Sequence, residues 1–311
     1  MTPSPIIHVG YHKTGSTWFQ KRLYATVTSH RYVPRREVQE VFLMPSALAF
    51  DPARARARLA PEAPDRPVLL CEEELSGNPH SAGMRGSLSK DVAERLHATL
   101  PEALVVIFIR NQVDMAATLY GHYVREGGTH GPRRYLCPER WRNDVRRHPF
   151  KYPLFSLDFL DYRGLIGHYR ALFGHDRVLV FAFEQFRADP RAFIGDYAHA
   201  LGLLPGPGPI DYGPINTGLR RNVMTVARLL NRLTYRSVLD KQWTGPLISN
   251  KIRSNLPLWL NRTPLAGPRL SPTDILGEAL AAEIAQRFAP VNGVLIAQTG
   301  LPLDRLGYAV A

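Results

Sequence analysis

Four short runs of strand-forming residues punctuate the first two thirds of the chain: PIIHVG (5–10), RPVLLCEE (66–73), ALVVIFIR (103–110) and RVLVFAFE (177–184). Each run is continuously apolar rather than alternating, as in strands covered on both faces of a parallel sheet. Between and after them, apolar positions recur with helical spacing over 17–27, 88–98, 113–125, 157–173 and 190–201. Strand–helix alternation predicts a three-layer α/β fold with a central parallel sheet, in which ligands gather at the carboxyl ends of the strands.

The pattern predicts one domain over 1–311, with an α/β core over about 4–204. Within it, 126–156 reads as an irregular excursion, because two adjacent glycines, several prolines and the basic clusters PRR and RNDVRR interrupt every period. A Pro/Gly linker at 203–215 closes the core, and a helical C-terminal part over about 216–311 follows, with helices expected at 218–233 and near 272–289. No internal repeat or low-complexity tract appears.

A chain of 311 residues is long enough to bury a proper core. Its 39 Lys and Arg against 27 Asp and Glu leave a net charge of +12, which suits an anionic ligand without naming one. Cys71 and Cys137 make no metal or disulfide spacing, and Cys71 reads as a small core residue. No stretch approaches the length of a membrane span, and no charged-then-apolar leader precedes the first strand. The expectations are a cytoplasmic location, no integral membrane association, no nucleic acid and no metal.

The first strand runs into HVGYHKTGST (8–17). Gly10 and Gly15 have the spacing of a phosphate-binding P-loop, and a helix beginning at Ser16 and Thr17 would offer an anion its backbone N–H groups and the positive end of its dipole. Thr17 and Gln20 fit a capping box. The nucleoside-triphosphate loop places lysine directly after the second glycine, however, and here that position is Ser16, with Lys13 in mid-loop. A lysine there lies nearer the bond beyond a 5′-phosphate and can neutralise a leaving oxygen without a metal, as transfer of a sulfuryl group from a 5′-phosphate requires. A plain strand–turn–helix connection with a solvated lysine is the competing reading.

HVGYHKTGSTWFQ resembles the 5′-phosphosulfate loop of sulfotransferases that use 3′-phosphoadenosine 5′-phosphosulfate (PAPS), written Pro-Lys-Ser-Gly-Thr-Thr or His-Lys-Thr-Gly-Thr-Thr in that family. Ser16 for the first threonine is the one departure. The resemblance implies a catalytic role for Lys13 and donor binding by His12, Lys13, Thr14, Gly15, Ser16, Thr17 and Trp18. A second stretch, VVIFIRNQVDMAATLYGHY, is similar to the family's 3′-phosphate motif, implying Arg110 and Thr118 as its readers. Gln112 replaces the usual proline, and Thr118 the usual serine. The unit at 165–203 and the C-terminal TGLPLDRLGY are also similar to bacterial members, with gaps in the likeness at 30–65, 126–156 and 235–270.

An attacking hydroxyl needs a base. The strand VLLCEEELSG ends in three carboxylates, and the resemblance aligns Glu73 with the family's glutamate base; strand alternation would put Glu72 and Glu74 on one side and Glu73 on the other. His12 and His122 are fallback bases. NTGLRRN (216–222) is the candidate lid, with Asn216, Arg220 and Arg221 against the nucleotide. The glutamate-type base points by analogy to a carbohydrate or glycolipid acceptor, and Trp141, Trp243 and Trp259 read either as sugar or head-group contacts or as core. Two alternatives stay open: a P-loop kinase acting on a small molecule, and a non-enzymatic polyanion-binding protein.

Overall fold

The computed structural model describes residues 4–59, 66–141, 143–147, 154–213, 215, 218–234 and 250–311. Among these, β1 (Ile6–His8), β2 (Arg31–Tyr32), β3 (Val68–Cys71), β4 (Leu104–Ile109) and β5 (Val178–Ala182) form a wholly parallel sheet in the order β2-β3-β1-β4-β5. Four strands fall where the apolar runs place them. The fifth, β2, is two residues long, too short to show a period.

Alternate side chains leave a strand on opposite faces, and both faces are covered. Ile6, Leu69, Cys71, Val106 and Phe108 pack in one cluster with Trp18, Phe19, Leu23 and Tyr24 after the loop and with Ile194, Tyr197 and Leu201 of the helix Pro190–Leu201. The other set, Ile7, Leu70, Val105, Ile107 and Ile109, is equally buried, and the helix Tyr162–Phe173 packs on β4 and β5 with Ser87–Thr99 beside it. This is a three-layer, P-loop-like α/β fold. Each fully buried Leu, Ile or Phe contributes about 1.5–3 kcal/mol, so the apolar runs are what fix the sheet at the centre.

The chain divides into two compact units. The first comprises Met1–Asn111, Asp158–Ile215 and Phe288–Ala311, and holds the whole sheet; the second comprises Gln112–Leu157 and Asn216–Arg287 and is helical. In the second, the helix Gln112–Arg125 packs against Arg221–Thr234 and Pro272–Leu276. The excursion at 126–156 is more ordered than its composition predicts: it contains the short helices Pro132–Leu136 and Asn143–Arg147. Arg133 bonds Glu283 at 2.9 Å, Arg140 also pairs with Glu283, and Tyr123 stacks on Tyr135 with centroids 4.1 Å apart.

Three further expectations need correction. The helices Arg35–Phe42 and Pro52–Leu59 stand where no element is expected, although Val38, Val41 and Phe42 have helical spacing. The final helix runs Glu278–Thr299, well past 289, because Pro290 costs it one internal hydrogen bond without ending it. The capping box at Thr17 and Gln20 is not formed: Gly15 is the N-cap, and Gln20 Nε2 donates instead to the carbonyl of Cys71 at 3.0 Å.

Candidate functional site

Four adjacent strand ends in the first unit bring the candidate residues together. β1 leads into the loop, β3 into the three glutamates, β4 into Arg110 and β5 into Phe183 and Glu184. Beyond β1 the loop keeps step with β4, since Val9 N–H bonds Val106 O at 2.9 Å and Tyr11 N–H bonds Phe108 O at 3.3 Å.

The loop is shaped by two glycines and one lysine. A Cβ on Gly10 would stand 2.7 Å from His8 Nε2, so only glycine lets the chain pass the histidine ring. Gly15 has φ +93°, and Phe183 lies 3.3 Å from where its Cβ would be. Lys13 adopts φ +65°, the left-handed region that costs a side-chain-bearing residue on the order of 1 kcal/mol or more. Successive residues alternating between left- and right-handed conformations turn their N–H groups to one side, the geometry of an anion nest. Thr14 Oγ1 donates to Tyr11 O at 2.5 Å, bracing the turn. A helix then runs from Ser16 to Tyr24, α-helical over Ser16–Trp18 and of π type over Phe19–Tyr24. Its first N–H groups have no carbonyl one turn back within the helix.

Arg110 joins the two motifs. Its Nη1 donates to the carbonyl of Lys13 at 2.9 Å, and its guanidinium lies over the Phe183 ring at 4.9 Å. Its own carbonyl accepts from the buried Tyr162 hydroxyl at 2.6 Å. Next to it, Asn111 N–H donates to Glu184 Oε1 at 3.0 Å, the Asn111 side chain donates to Gly307 O at 2.6 Å, and Tyr308 donates to Glu184 Oε2 at 2.9 Å. The C-terminal LGY thus clamps the segment that carries Arg110. Tyr162, Phe183, Glu184 and Tyr308 are missed by sequence reasoning; the acid two residues past β5 in FAFEQF and the terminal LGY were the available signals.

The three glutamates do not alternate, which corrects the expectation above. β3 ends at Cys71, and Glu73–Ser76 is a 3-10 turn, so each carboxylate takes its own direction. Glu72 is fully buried and structural: it accepts from Arg35 Nε at 2.5 Å, Gln39 Nε2 at 2.7 Å and Glu74 N–H at 3.0 Å. Glu73 accepts the Ser16 hydroxyl, with Arg35 Nη2 at 3.6 Å from its other oxygen. Glu74 lies 3.2 Å from His12 Nε2 and accepts from Asn78 at 3.2 Å. Burial pulls the Glu74 carboxyl up, but His12, Asn78 and Arg35 outweigh it and hold it below the usual carboxylate range.

Trp18 is a core side chain, stacked on Tyr212 with centroids 6.1 Å apart, and its indole Nε1 finds no acceptor among the described residues. Behind the loop, His8 Nδ1 and the Tyr24 hydroxyl are 2.6 Å apart, and the Tyr24 and Tyr197 hydroxyls 2.5 Å. Burial pushes the Cys71 thiol well up, in keeping with a core cysteine.

The remaining candidates belong to the second unit. Thr118 Oγ1 donates to Asp114 O at 2.8 Å, one turn back in its own helix. Arg221 pairs with Asp274 at 2.8 Å and lines an open cleft of about 280 Å³ with Tyr120, Met224 and Arg228. Arg220 reaches Gly267 O at 3.4 Å. His122 lies 3.9 Å from Glu126. Asn216 and Trp243 lie outside the described residues. Trp141 and Trp259 are exposed, which rules out the core reading for both. Among the described residues no group of three or more His, Cys, Asp or Glu side chains is placed to hold a metal ion, and no helix is long and apolar enough to cross a membrane.

No protein-family model matches the chain, and no curated protein matches it. Among solved structures, it is similar to a sulfotransferase from Alicyclobacillus acidocaldarius, with 21% identity, a TM-score of 0.49, and coverage of 74% of this chain and 93% of that one.

Proposed function

We propose that this chain is a PAPS-dependent sulfotransferase that moves a sulfuryl group to an acceptor hydroxyl. The observation that carries the reading is the Arg110–Lys13 bond at 2.9 Å, which unites a mid-loop lysine with a strand-end arginine. A donor with phosphates at both its 5′ and 3′ positions accounts for both cations; a nucleoside triphosphate accounts for neither placement.

In this reading the loop N–H groups, those of Thr14 and Ser16 among them, and the Thr17 hydroxyl hold the 5′-phosphate, while Arg110, with Thr118 after exchange of its internal bond, holds the 3′-phosphate. Asn216, Arg220 and Arg221 are assigned to the lid. The acceptor oxygen forms its bond to sulfur as the bond from sulfur to the bridging oxygen breaks. Lys13 stabilises the charge left on that bridging oxygen, and the acceptor proton passes to Glu73. Arg35 and Ser16 orient that carboxylate from either side. The glutamate base favours a carbohydrate or glycolipid acceptor, and the location is read as cytoplasmic.

One observation favours a second reading, the P-loop kinase. A loop hydroxyl paired with an acid just past the neighbouring strand, as in Ser16 and Glu73, is similar to the hydroxyl–acid pair through which P-loop NTPases hold magnesium, although the hydroxyl two places after the second glycine is here Thr17. A thermal-shift comparison separates the two. Stabilisation by 3′-phosphoadenosine 5′-phosphate but not by ATP–Mg supports the sulfotransferase, with about 2.7 kcal/mol expected at a hundredfold excess over Kd. Stabilisation by ATP–Mg alone, with turnover lost to EDTA and restored by magnesium, establishes the kinase and refutes the first reading.

A further inference from the structure

We propose that the helices Arg221–Thr234 and Asn250–Leu260 of the second unit form a docking surface for an anionic lipid bilayer. The inference does not depend on the reaction assigned above. Along the first helix, Val223, Met224, Ala227 and Asn231 are buried, and Asn231 Nδ2 is spent on the carbonyls of Val124 and Gly128 at 2.7 and 3.0 Å. The opposite stripe carries Asn222, Val226 and Leu229 at helical spacing, and Leu229 is 59% exposed.

Three bonds at one corner fasten the end of the second helix and its following turn to the start of the first. Arg220 N–H donates to Asn261 Oδ1 at 2.8 Å, Arg221 N–H to Pro268 O at 3.1 Å and Asn222 Nδ2 to Leu265 O at 2.9 Å. The last of these sets Leu265, 78% exposed, beside Asn222, so the apolar stripe of the first helix continues into the turn. Trp259, 64% exposed, and Leu258 stand on the second helix less than two turns before it. Six of the thirteen exposed large hydrophobic side chains identified among the described residues fall within 218–234 and 250–269, a concentration rather than a scatter.

Charge selects the occupant. Residues 218–234 and 250–269 contain eight Lys and Arg and no Asp or Glu, and Arg232, Arg262 and Arg269 are exposed. Two copies meeting through this face would set these cations against each other. A nucleic acid would leave Trp259, Leu229 and Leu265 in water. An anionic interface takes both, with aromatic and leucine side chains at the acyl boundary and arginines at the head groups. Neither helix is long and apolar enough to cross, so both would lie in the interface.

The test is flotation of the full chain with vesicles of phosphatidylcholine alone or rich in phosphatidylglycerol. Binding is expected only to the latter and is expected to weaken with salt. Arg262→Gln with Arg269→Gln should lower affinity roughly 25-fold, at about a factor of five for each cation near the surface. Trp259→Ala with Leu229→Ala should reduce binding to the level of pure phosphatidylcholine. Melting temperatures unchanged from the parent show that the variants are folded. Should one variant fail to fold, quenching of wild-type tryptophan fluorescence by brominated lipid, reduced in Trp259→Phe, reads the same contact. No binding, equal binding to both vesicles, or variants that bind as the parent does would overturn the proposal. So would a dimer in light scattering that these same substitutions dissociate.

Discussion

Arg110 Nη1 donates to the carbonyl oxygen of Lys13 at 2.9 Å, so the cation assigned to one phosphate also holds the backbone of the residue assigned to the other. Because Lys13 sits at φ +65°, its main chain stays in the left-handed region only while something fixes it, and this bond is one such restraint.

Arg110→Ala is therefore expected to act twice. Loss of a charge-assisted bond should weaken 3′-phosphate binding by about 1.5–3 kcal/mol, and loss of the Lys13 contact should weaken an analogue lacking that phosphate by about 0.5–1.5 kcal/mol. Calorimetry on the two ligands reads the difference. Equal losses would mean that Arg110 braces the loop and reads no phosphate.

Lys13→Ala is expected to lower kcat by roughly 10²-fold or more, with a much smaller change in donor Kd, because the charge it meets grows only as the sulfuryl group departs. A donor analogue with a better leaving group should partly rescue it. If the donor Kd rises and single-turnover kcat is intact, the lysine is an anchor and not a catalyst.

Glu73→Gln should also lower kcat at nearly constant donor affinity, since it removes the proton acceptor and keeps the shape. An acceptor with a more acidic hydroxyl should partly restore it and should leave Lys13→Ala unrescued. Ser16→Ala separates the roles further: it deletes the hydroxyl that Glu73 accepts while leaving the carboxylate in place. A Ser16→Ala variant as slow as Glu73→Gln would show that the pair, and not the carboxylate alone, carries the step.

Much of this was legible because it rests on local chemistry. Continuous apolar runs gave four strands, and the spacing of Gly10, Lys13 and Gly15 gave the loop, since each constraint lies within ten residues. What escaped is set by contacts distant in sequence. Glu72 and Glu74 looked equivalent by alternation, yet β3 stops at Cys71, and the buried Glu72 is claimed by Arg35 and Gln39 on the helix Arg35–Phe42, more than thirty positions earlier in the chain. Tyr308 meets Glu184 across 124 positions, which no window of residues reveals. Gln20 reads as half of a cap until the neighbouring strand offers it the Cys71 carbonyl.

Tyr308→Phe tests that long-range clamp. It leaves one oxygen of the buried Glu184 without its donor, at a cost of about 1–3 kcal/mol in stability. Because Glu184 also holds Asn111 N–H at 3.0 Å, the variant should raise Kd for 3′-phosphoadenosine 5′-phosphate more than for an analogue lacking the 3′-phosphate. A stability loss with unchanged ligand discrimination would reduce Tyr308 to a packing residue.

His8 predicts a pH dependence. It is fully buried behind Gly10, stacked on Phe108 with centroids 5.0 Å apart, and desolvation lowers its pKa from 6.5 to about 3. Its hydroxyl neighbours Tyr24 and Tyr197 have their pKa values raised by burial and stay neutral throughout this range. Between those two values the unfolded chain binds a proton that the folded chain refuses, so stability is complete above 6.5 and falls with pH down to about 3. At about 1.4 kcal/mol per pH unit, this one group removes roughly 2 kcal/mol between pH 7 and pH 5. His30, also lowered by burial, adds loss of the same sign, whereas the stability Glu74 contributes as a carboxylate below its usual range is lost only below about 4.5. Urea denaturation at pH 7 and pH 5 isolates the His8 share. His8→Asn should be the less stable protein at pH 7, because a packed ring is gone, and its deficit should shrink by about 2 kcal/mol at pH 5. A deficit that is the same at both pH values would mean that the ring takes up its proton equally in both states, and that the floor of the loop is open to water.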